Sequence, residues 1–206
     1  MARYRGPRNR LARREGIDLG LKTVGSAAHA ALLRRLKILP GQHGQKGSRK
    51  MSDYGRQLRE KQKVKRVYGI AEHQFKKYFL QASRERANTG EQMLSFLERR
   101  LDNVIYRLGF APTRTSARQY VSHGHVFVDG KKVTIPSFQV EKGMVVTLRP
   151  TIMETPVVKK LLEEKNPNIS PWLAREGPAG KVVRFPQRVD ITDDINEQLI
   201  IEFYSR

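Results

Sequence analysis

The chain has 206 residues, and its 40 Lys and Arg against 20 Asp and Glu leave a formal net charge of +20 at pH 7. So many positive side chains repel one another, and their charge is usually neutralised by a polyanion. Nucleic acid is the first candidate for this partner. The absence of cysteine excludes disulfides, thiolate catalysis and cysteine-based zinc sites. No apolar run approaches the roughly 20 residues that span a bilayer, so we expect no membrane partner.

The positive charge is concentrated near the N-terminus. Residues 1–66 have a net charge of +15, residues 67–150 of +6 and residues 151–206 of −1. We predict that residues 1–51 form a basic arm that contacts RNA and orders largely against it, because frequent glycines and few apolar residues predict irregular chain. Only the stretch from Ala28 to Leu36 predicts a helix there. The alternative, a disordered basic tail without defined contacts, is disfavoured by the apolar residues interleaved with the charges.

Two helices are predicted after the arm. Ser52 fits the N-cap of a basic helix that continues to about Val67. A second helix, from about Ile70 to Arg86, carries the aromatic residues Phe75, Tyr78 and Phe79. We interpret these aromatic side chains as core residues, with base stacking against RNA as the alternative.

A third helix is predicted from the capping-box spacing of Thr89 and Gln92. Apolar residues then recur at steps of three and four up to Leu108, which predicts one continuous helix that Gly109 ends. Its remaining faces carry several Arg and Asn residues that we interpret as available to RNA.

A shorter helix is predicted to begin at Pro112-Thr113 and to continue to about His123. We expect Arg114 and Arg118 to point outward from it. A helix N-terminus also attracts phosphate, because unpaired amides and the helix dipole add to the arginine charges.

The hydrophobic period then changes from that of a helix to that of a strand. The run from His125 to Val128, the dipeptide Asp129-Gly130 and the run from Val133 to Ile135 predict a β-hairpin, which we regard as scaffold. Further strands are predicted over Phe138 to Val140 and Met144 to Leu148.

The C-terminal third is nearly neutral. It predicts a strand from Lys181 to Phe185 and an apolar stretch, Ile195 to Tyr204, that packs back against the early helices. The acidic pairs Glu163-Glu164 and Asp193-Asp194 predict a solvated helix face and a helix that begins near Thr192 rather than acid–base catalysts. The five histidines are scattered, and no nucleotide loop or nucleophile motif is present, so we predict no enzyme, no cofactor, no metal and no small-molecule substrate.

Several short motifs follow one another between residues 100 and 130: Arg100-Leu101-Asp102, Arg107-Leu108-Gly109-Phe110, Thr113-Arg114, Ala117-Arg118, Ser122-His123-Gly124-His125-Val126 and Asp129-Gly130. This series of motifs resembles the RNA-binding module of the ribosomal protein S4 family. Pseudouridine synthases, a heat-shock protein and tyrosyl-tRNA synthetases share this module, so on its own it is not specific.

Segments outside the module extend the resemblance to the bacterial small-subunit ribosomal protein family as a whole. They are Ala2-Arg3-Tyr4 with Gly6-Pro7, Arg13-Arg14-Glu15-Gly16, Gly41-Gln42-His43-Gly44, Ser52-Asp53-Tyr54, Glu60-Lys61-Gln62, Tyr68-Gly69-Ile70, Asn196-Glu197-Gln198-Leu199 and Phe203-Tyr204-Ser205. The resemblance implies a protein of the cytoplasmic ribosome that binds the five-prime domain of 16S rRNA and nucleates small-subunit assembly. It further implies contact with neighbouring proteins including ribosomal protein S5, an influence on translational accuracy, and a position near the channel through which messenger RNA enters.

The chain departs from the zinc-binding members of that family. Those members have four cysteines in the arm, at positions occupied here by Asn9, Ala12, Ser26 and Ala31. None of these side chains can replace a thiolate ligand, so we predict no zinc and expect residues 27–36 and RNA to hold this loop.

Together these features predict an α+β fold with a mainly helical domain, a basic N-terminal arm, and an inserted module of two helices, a β-hairpin and a small antiparallel sheet. The predicted boundaries are 1–51 for the arm, 52–90 with 187–206 for the helical domain, and 91–186 for the domain that contains the module, whose core is about 99–150.

Twenty side chains are predicted to bind RNA, mostly because their charge or hydrogen-bonding groups suit phosphate. They are Arg3, Tyr4, Arg10, Arg13, Arg14, Arg49, Lys50, Arg56, Arg59, Lys61, Arg66, Arg99, Arg100, Asn103, Arg107, Arg114, Arg118, Gln119, His123 and Lys131. Two other functions are weighed against an architectural ribosomal role. An RNA-modifying enzyme would need a catalytic domain that these segments do not supply, and the family-like arm and C-terminus disfavour a stress factor that binds stalled ribosomal particles.

Overall fold

A computed structural model of the chain describes residues 4–46, 50–85, 87–164 and 169–205. Contacts group the chain into two compact units, residues 1–92 with 193–206 and residues 93–192. The helices of the first unit are α1 (Arg8–Glu15), α2 (Ala27–Arg34), α3 (Asp53–Val67), α4 (Glu72–Ala82), the start of α5 (Thr89–Glu98), and α10 (Glu197–Tyr204), with a short 3-10 turn at Gly44–Lys46.

The second unit combines helices and strands. In chain order it contains the end of α5, α6 (Leu101–Arg107), α7 (Arg114–Ser122), β1 (Val126–Val128), β2 (Lys131–Lys132), β3 (Val145–Leu148), α8 (Pro150–Met153), α9 (Pro156–Glu163), β4 (Leu173–Glu176), β5 (Ala179–Val182) and a 3-10 turn at Arg188–Asp190. The predicted α+β class is confirmed, while the three-part division of the chain stays a proposal.

The basic helix α3 organises the first unit. Its predicted N-cap is confirmed, because the Ser52 side chain accepts a hydrogen bond from the Gly55 amide. The predicted return of the C-terminus is also confirmed: α10 packs on α3, where Gln57 donates to Glu202 over 2.9 Å and the Tyr54 and Phe203 rings lie 5.8 Å apart.

The aromatic residues of α4 are core residues, as predicted. Phe75, Tyr78 and Phe79 are buried, and the Phe79 ring stacks on Tyr204 at 4.7 Å. The helix is shorter than predicted, ending at Ala82. Burial leaves no room for the alternative in which these rings stack on RNA bases.

The arm contains more regular structure than its sequence predicts. Helix α1 was not expected, and the prediction of irregular chain is wrong for Arg8–Glu15. The reason is tertiary: Ala12 is 1% exposed, and Arg13 donates to the carbonyls of Ile38 and Leu39 over 2.9 and 3.1 Å. These contacts offset the weak local preference for a helix.

The predicted single helix from Thr89 to Leu108 is wrong, because the chain leaves helical geometry at Arg100, where ψ is 136°. Arg100 forms an isolated β-bridge with Gln139, and the Leu101 amide donates to the Phe138 carbonyl over 2.9 Å. The segment predicted as a strand over 138–140 therefore forms this bridge instead. The N-terminal cap also differs, since Asn88 rather than Thr89 accepts from the Gly90 amide.

The second unit contains a five-stranded antiparallel sheet with the order β2-β1-β3-β5-β4. The predicted two-residue turn is confirmed, since Asp129 and Gly130 have φ of 48° and 76° between the paired Val128 and Lys131. The returning strand is Lys131–Lys132 and not the predicted run 133–135, because the chain then turns towards Pro136, whose carbonyl accepts from the Asp102 amide.

The end of the second unit also corrects two predictions. The predicted strand Lys181–Phe185 is observed earlier, as β5, and β4 was not predicted. The last helix begins after its cap Asn196, not near Thr192. The core of this unit lies between helices and sheet and includes fully buried residues from both: Leu101, Val104, Leu108, Val121, Val126, Val146 and Trp172.

Candidate RNA interface

The predicted RNA-binding residues fall into three groups in the structure. Arg3 and Arg49 lie outside the described residues. The exposed group is Tyr4, Arg10, Arg14, Lys50, Arg56, Gln119, His123 and Lys131. The third group is partly or fully buried and takes part in contacts within the chain: Arg13, Arg59, Lys61, Arg66, Arg99, Arg100, Asn103, Arg107, Arg114 and Arg118.

In the arm, a buried carboxylate connects α1 to α3. The Glu15 side chain is 3% exposed and pairs with Arg66 and, over 3.3 Å, with Arg59. Both arginines therefore hold the arm against the helical unit. Arg10 and Arg14, which lie on α1 with Glu15, are exposed. Their charges are therefore accessible to phosphate.

Lys61 is engaged inside the first unit. It is 5% exposed, its Nζ lies 2.6 Å from the Glu72 carboxylate, and it lies 4.4 Å from the centre of the Phe203 ring. Burial raises the pKa of Glu72, but hydrogen bonds from Lys61, Lys65 and Tyr204 outweigh it and bring that pKa down to about 2. The buried Lys61 ammonium is thus neutralised by the partly exposed Glu72 carboxylate.

The module contains a buried network of ion pairs. Arg100 is completely buried and donates to both carboxylate oxygens of Asp102, over 3.0 and 2.7 Å. Arg118, predicted to point outward, is 6% exposed and lies 3.5 Å from the same carboxylate. A buried charge is tolerated only when it is paired in this way.

A second branch of this network begins at Glu98, which is 1% exposed. Arg107 donates to both of its oxygens over 3.0 and 2.8 Å, and Asn103 donates to it over 2.8 Å. Asn103 in turn accepts from Arg114 over 2.8 Å, and the Arg114 guanidinium lies 4.6 Å from the centre of the Tyr106 ring. The predicted outward orientation of Arg114 and Arg118 is therefore wrong, because carboxylates and amides inside the module bind them.

Arg99 lies at the same helix break but is only half-buried. Its Nε donates to the Val140 carbonyl over 3.2 Å, and its guanidinium lies 4.3 Å from the centre of the Phe185 ring. These contacts leave the Arg99 side chain partly open to solvent.

Several exposed polar residues of the module lie on the elements that surround the junction of α7 and the hairpin. His123 follows α7, Lys131 and Lys132 form β2, and Arg149 follows β3; all four side chains are exposed. Sequence reasoning missed Lys132 and Arg149, because it interpreted the hairpin as scaffold. The Lys131-Lys132 pair next to the predicted turn was the signal that could have identified them.

Three of the four positions that the family resemblance assigns to cysteine in zinc-binding members have other contacts here. Asn9 donates to the Ala28 carbonyl over 3.0 Å, Ala12 is buried, and Ser26 caps α2. Within the described part of the chain, no three His, Asp or Glu side chains are grouped to hold a metal ion. The absence of zinc stays a prediction.

Among the described residues, no helix is both long enough and apolar enough to cross a bilayer.

Comparison with known proteins identifies the family. The sequence matches the family model described as "Ribosomal protein S4/S9 N-terminal domain" over residues 3–98 and the "S4 domain" over residues 99–146. The second match coincides with α6, α7 and the hairpin, and it begins at the break between α5 and α6.

Relatives match along the full chain. Small ribosomal subunit protein uS4 of Citrifermentans bemidjiense is 52% identical over 209 residues, and those of Thermus thermophilus and Cupriavidus necator are 46% identical over 209 and 211 residues; each alignment covers 100% of both chains. The chain thus belongs to the S4 family of small ribosomal subunit proteins.

Proposed function

We propose that this chain is a structural, non-catalytic component of the small subunit of the cytoplasmic ribosome and binds ribosomal RNA directly. The observation that carries the proposal is the match of residues 99–146 to the S4 domain, within a chain whose full-length relatives are small-subunit proteins. The net charge of +20 supports a polyanionic partner.

The mechanism we infer is charge neutralisation combined with recognition of RNA shape. Folded RNA brings phosphates from several helices close together, and a rigid protein with exposed cations offsets their repulsion. Contacts to the backbone suit this role, since side chains cannot read the narrow major groove of A-form RNA. The exposed group, from Tyr4 and Arg10 in the arm to Gln119, His123 and Lys131 in the module, supplies the first contacts.

The buried group acts differently in this proposal. Arg100, Arg114 and Arg118 shape the module from inside, while partly exposed arginines such as Arg99 and Arg107 combine an internal contact with an accessible edge. All twenty predicted residues therefore remain proposed contributors to RNA binding, and among the described ones only the buried residues would need to rearrange to contact RNA directly.

A filter-binding assay tests the proposed function. The purified chain should bind a transcript of the 16S rRNA five-prime domain more tightly than an unrelated RNA of equal length. If about ten phosphates are engaged, log affinity should fall against log salt with a slope of several units. Equal affinity for both RNAs, or a flat response to salt, would contradict the proposal.

We also propose that the chain nucleates assembly of the small subunit by holding a junction of rRNA helices. Reconstitution from purified rRNA and proteins tests this: omission of the chain at the first step should prevent formation of a compact particle. Addition after the other proteins should restore assembly only slowly. A compact particle that forms equally well without the chain would remove this role.

Contact with ribosomal protein S5, proximity to incoming messenger RNA and an influence on accuracy are proposed from the family resemblance. Exposed apolar side chains at Val183, Phe185 and Val189 supply surface suited to a protein contact. A photo-crosslinker at Val189, which is 83% exposed, should capture S5 in assembled subunits, and one at Lys50 should capture messenger RNA. Altered stop-codon readthrough in cells with a Phe185→Ala chain would support the effect on accuracy.

A further inference from the structure

The turn between α7 and β1 brings two histidine rings close together. The Gly124 amide donates to the Val121 carbonyl over 2.9 Å and the His125 amide to the Tyr120 carbonyl over 3.0 Å, which closes the helix end with Gly124 at φ 73°. The rings of His123 and His125, on either side of this glycine, have centroids 6.2 Å apart.

Lys132 lies directly over the same glycine. A Cβ atom at Gly124 would be 2.2 Å from Cε and 2.9 Å from Nζ of Lys132. The register of the hairpin, which pairs Lys132 with Phe127, places the lysine there. Glycine at 124 thus supplies both the left-handed turn and the space that the lysine occupies.

Arg149 joins the group from the end of β3. Its amide donates to the His125 carbonyl over 2.9 Å, and its side chain is exposed. Ionisable groups from three separate elements therefore lie near one turn. These elements are the end of α7, the strand β2 and the end of β3.

The electrostatics at this turn favour an anion. Burial lowers the pKa of His125, and the charges of His123, Arg149 and Lys132 lower it further. The Nδ1 atom of His125 is buried and has no hydrogen-bond partner among the described residues. Tyr120 contributes no charge near neutral pH, because the ordinary pKa of tyrosine is about 10 and burial raises it further. Like charges held together in this way repel one another until an anion is bound.

We propose that His123, His125, Lys132 and Arg149 form a binding subsite for a single backbone phosphate of the RNA. This subsite rests on the proposed function and adds His125, Lys132 and Arg149 to the proposed interface. Lys132 and Arg149 provide the permanent charge, and a bound phosphate offsets the neighbouring positive charges that disfavour protonation of His125. Affinity for RNA is therefore expected to rise as the pH falls from 7.5 towards 6.

Substitution of the two permanent cations tests the subsite. Lys132→Gln with Arg149→Gln should weaken binding of the five-prime-domain transcript about tenfold and reduce the salt slope by about one to two. The matched control is Lys159→Gln with Lys160→Gln, which removes the same charge from exposed positions of α9. Equal losses in both variants would overturn the proposal, because they would show only the effect of net charge.

The histidines are tested by pH dependence. The gain in affinity between pH 7.5 and 6 should be reduced in His123→Gln with His125→Gln and retained in His43→Gln with His73→Gln, which changes two exposed histidines elsewhere in the chain. A gain that persists in the first variant would exclude the histidines from the subsite.

A measurement without RNA separates this proposal from the function on which it rests. In histidine-labelled wild-type protein titrated with inorganic phosphate, the ring resonances of His123 and His125 should shift at lower phosphate concentration than those of His29, His43 and His73. Parallel shifts of all five rings would overturn the subsite even if the chain binds rRNA. Selective shifts in a chain that fails to bind rRNA would keep the anion site and remove the proposed function.

Discussion

Replacing Asp102 with Asn is expected to destabilise the unit formed by residues 93–192 by about 3 to 5 kcal/mol. Asp102 is 4% exposed and accepts two hydrogen bonds from Arg100, which is completely buried. Arg118 lies 3.5 Å from the same carboxylate. The substitution keeps the volume of the side chain but leaves two buried guanidinium groups without their anion, and the new amide group would face other donors.

The chain contains its own probe for this measurement. Trp172 is the single tryptophan, is 1% exposed, and lies in the same core as Leu101 and Val104. Its fluorescence therefore follows unfolding of this unit. With a denaturant slope of about 1 to 3 kcal/mol per M, the urea midpoint of Asp102→Asn should fall by about 1 M or more.

The matched control is Glu141→Gln, which makes the same change in net charge at an exposed position of the same unit. Its midpoint should remain close to that of the wild type, because exposed charges contribute little to stability. The reasoning would be refuted if Asp102→Asn shifted the midpoint no further than Glu141→Gln does.

Three further outcomes are expected. Arg114→Glu with Arg118→Glu should lower the urea midpoint reported by Trp172 fluorescence, because both sites are buried beside acceptor groups; weaker RNA binding at an unchanged midpoint would contradict this. Leu101→Asp should unfold the same unit, since Leu101 is fully buried, whereas Leu101→Ile should retain native Trp172 fluorescence. The pKa of Glu72 is about 2 in the folded state, below its reference value of 4.5. The ionised carboxylate therefore stabilises the native state fully above pH 4.5, and this stabilisation is lost as the pH falls from 4.5 towards 2. The melting temperature of Glu72→Gln, followed by circular dichroism, should accordingly lie below that of the wild type at pH 6 and converge with it near pH 2.

Local chemistry was sufficient to predict several elements. The cap at Ser52, the turn at Asp129-Gly130 and the helix stop at Gly124 each depend on hydrogen bonds or backbone angles within a few residues. The buried aromatic residues of α4 followed from hydrophobic spacing alone. Such features need no information about distant parts of the chain.

Other elements depend on residues far apart in the sequence. Helix α1 forms in a segment with weak helical signal because Glu15 pairs with Arg66, 51 positions later. The helix break at Arg100 occurs because the segment around Phe138 offers competing hydrogen bonds. Neither interaction leaves a periodic signal near the element that it determines.

The amino-acid sequence by itself determined the net charge, the absence of thiolate chemistry and the order of motifs that identifies the family. Only the tertiary structure decided which cations are exposed: Arg14 and Lys131 are, whereas Arg100, Arg114 and Arg118 are buried against groups inside the module. The physical reason is that a buried charge needs a partner brought to it by the fold. The type of a residue therefore indicates what it can bind, and its packed surroundings decide whether it is available to bind RNA.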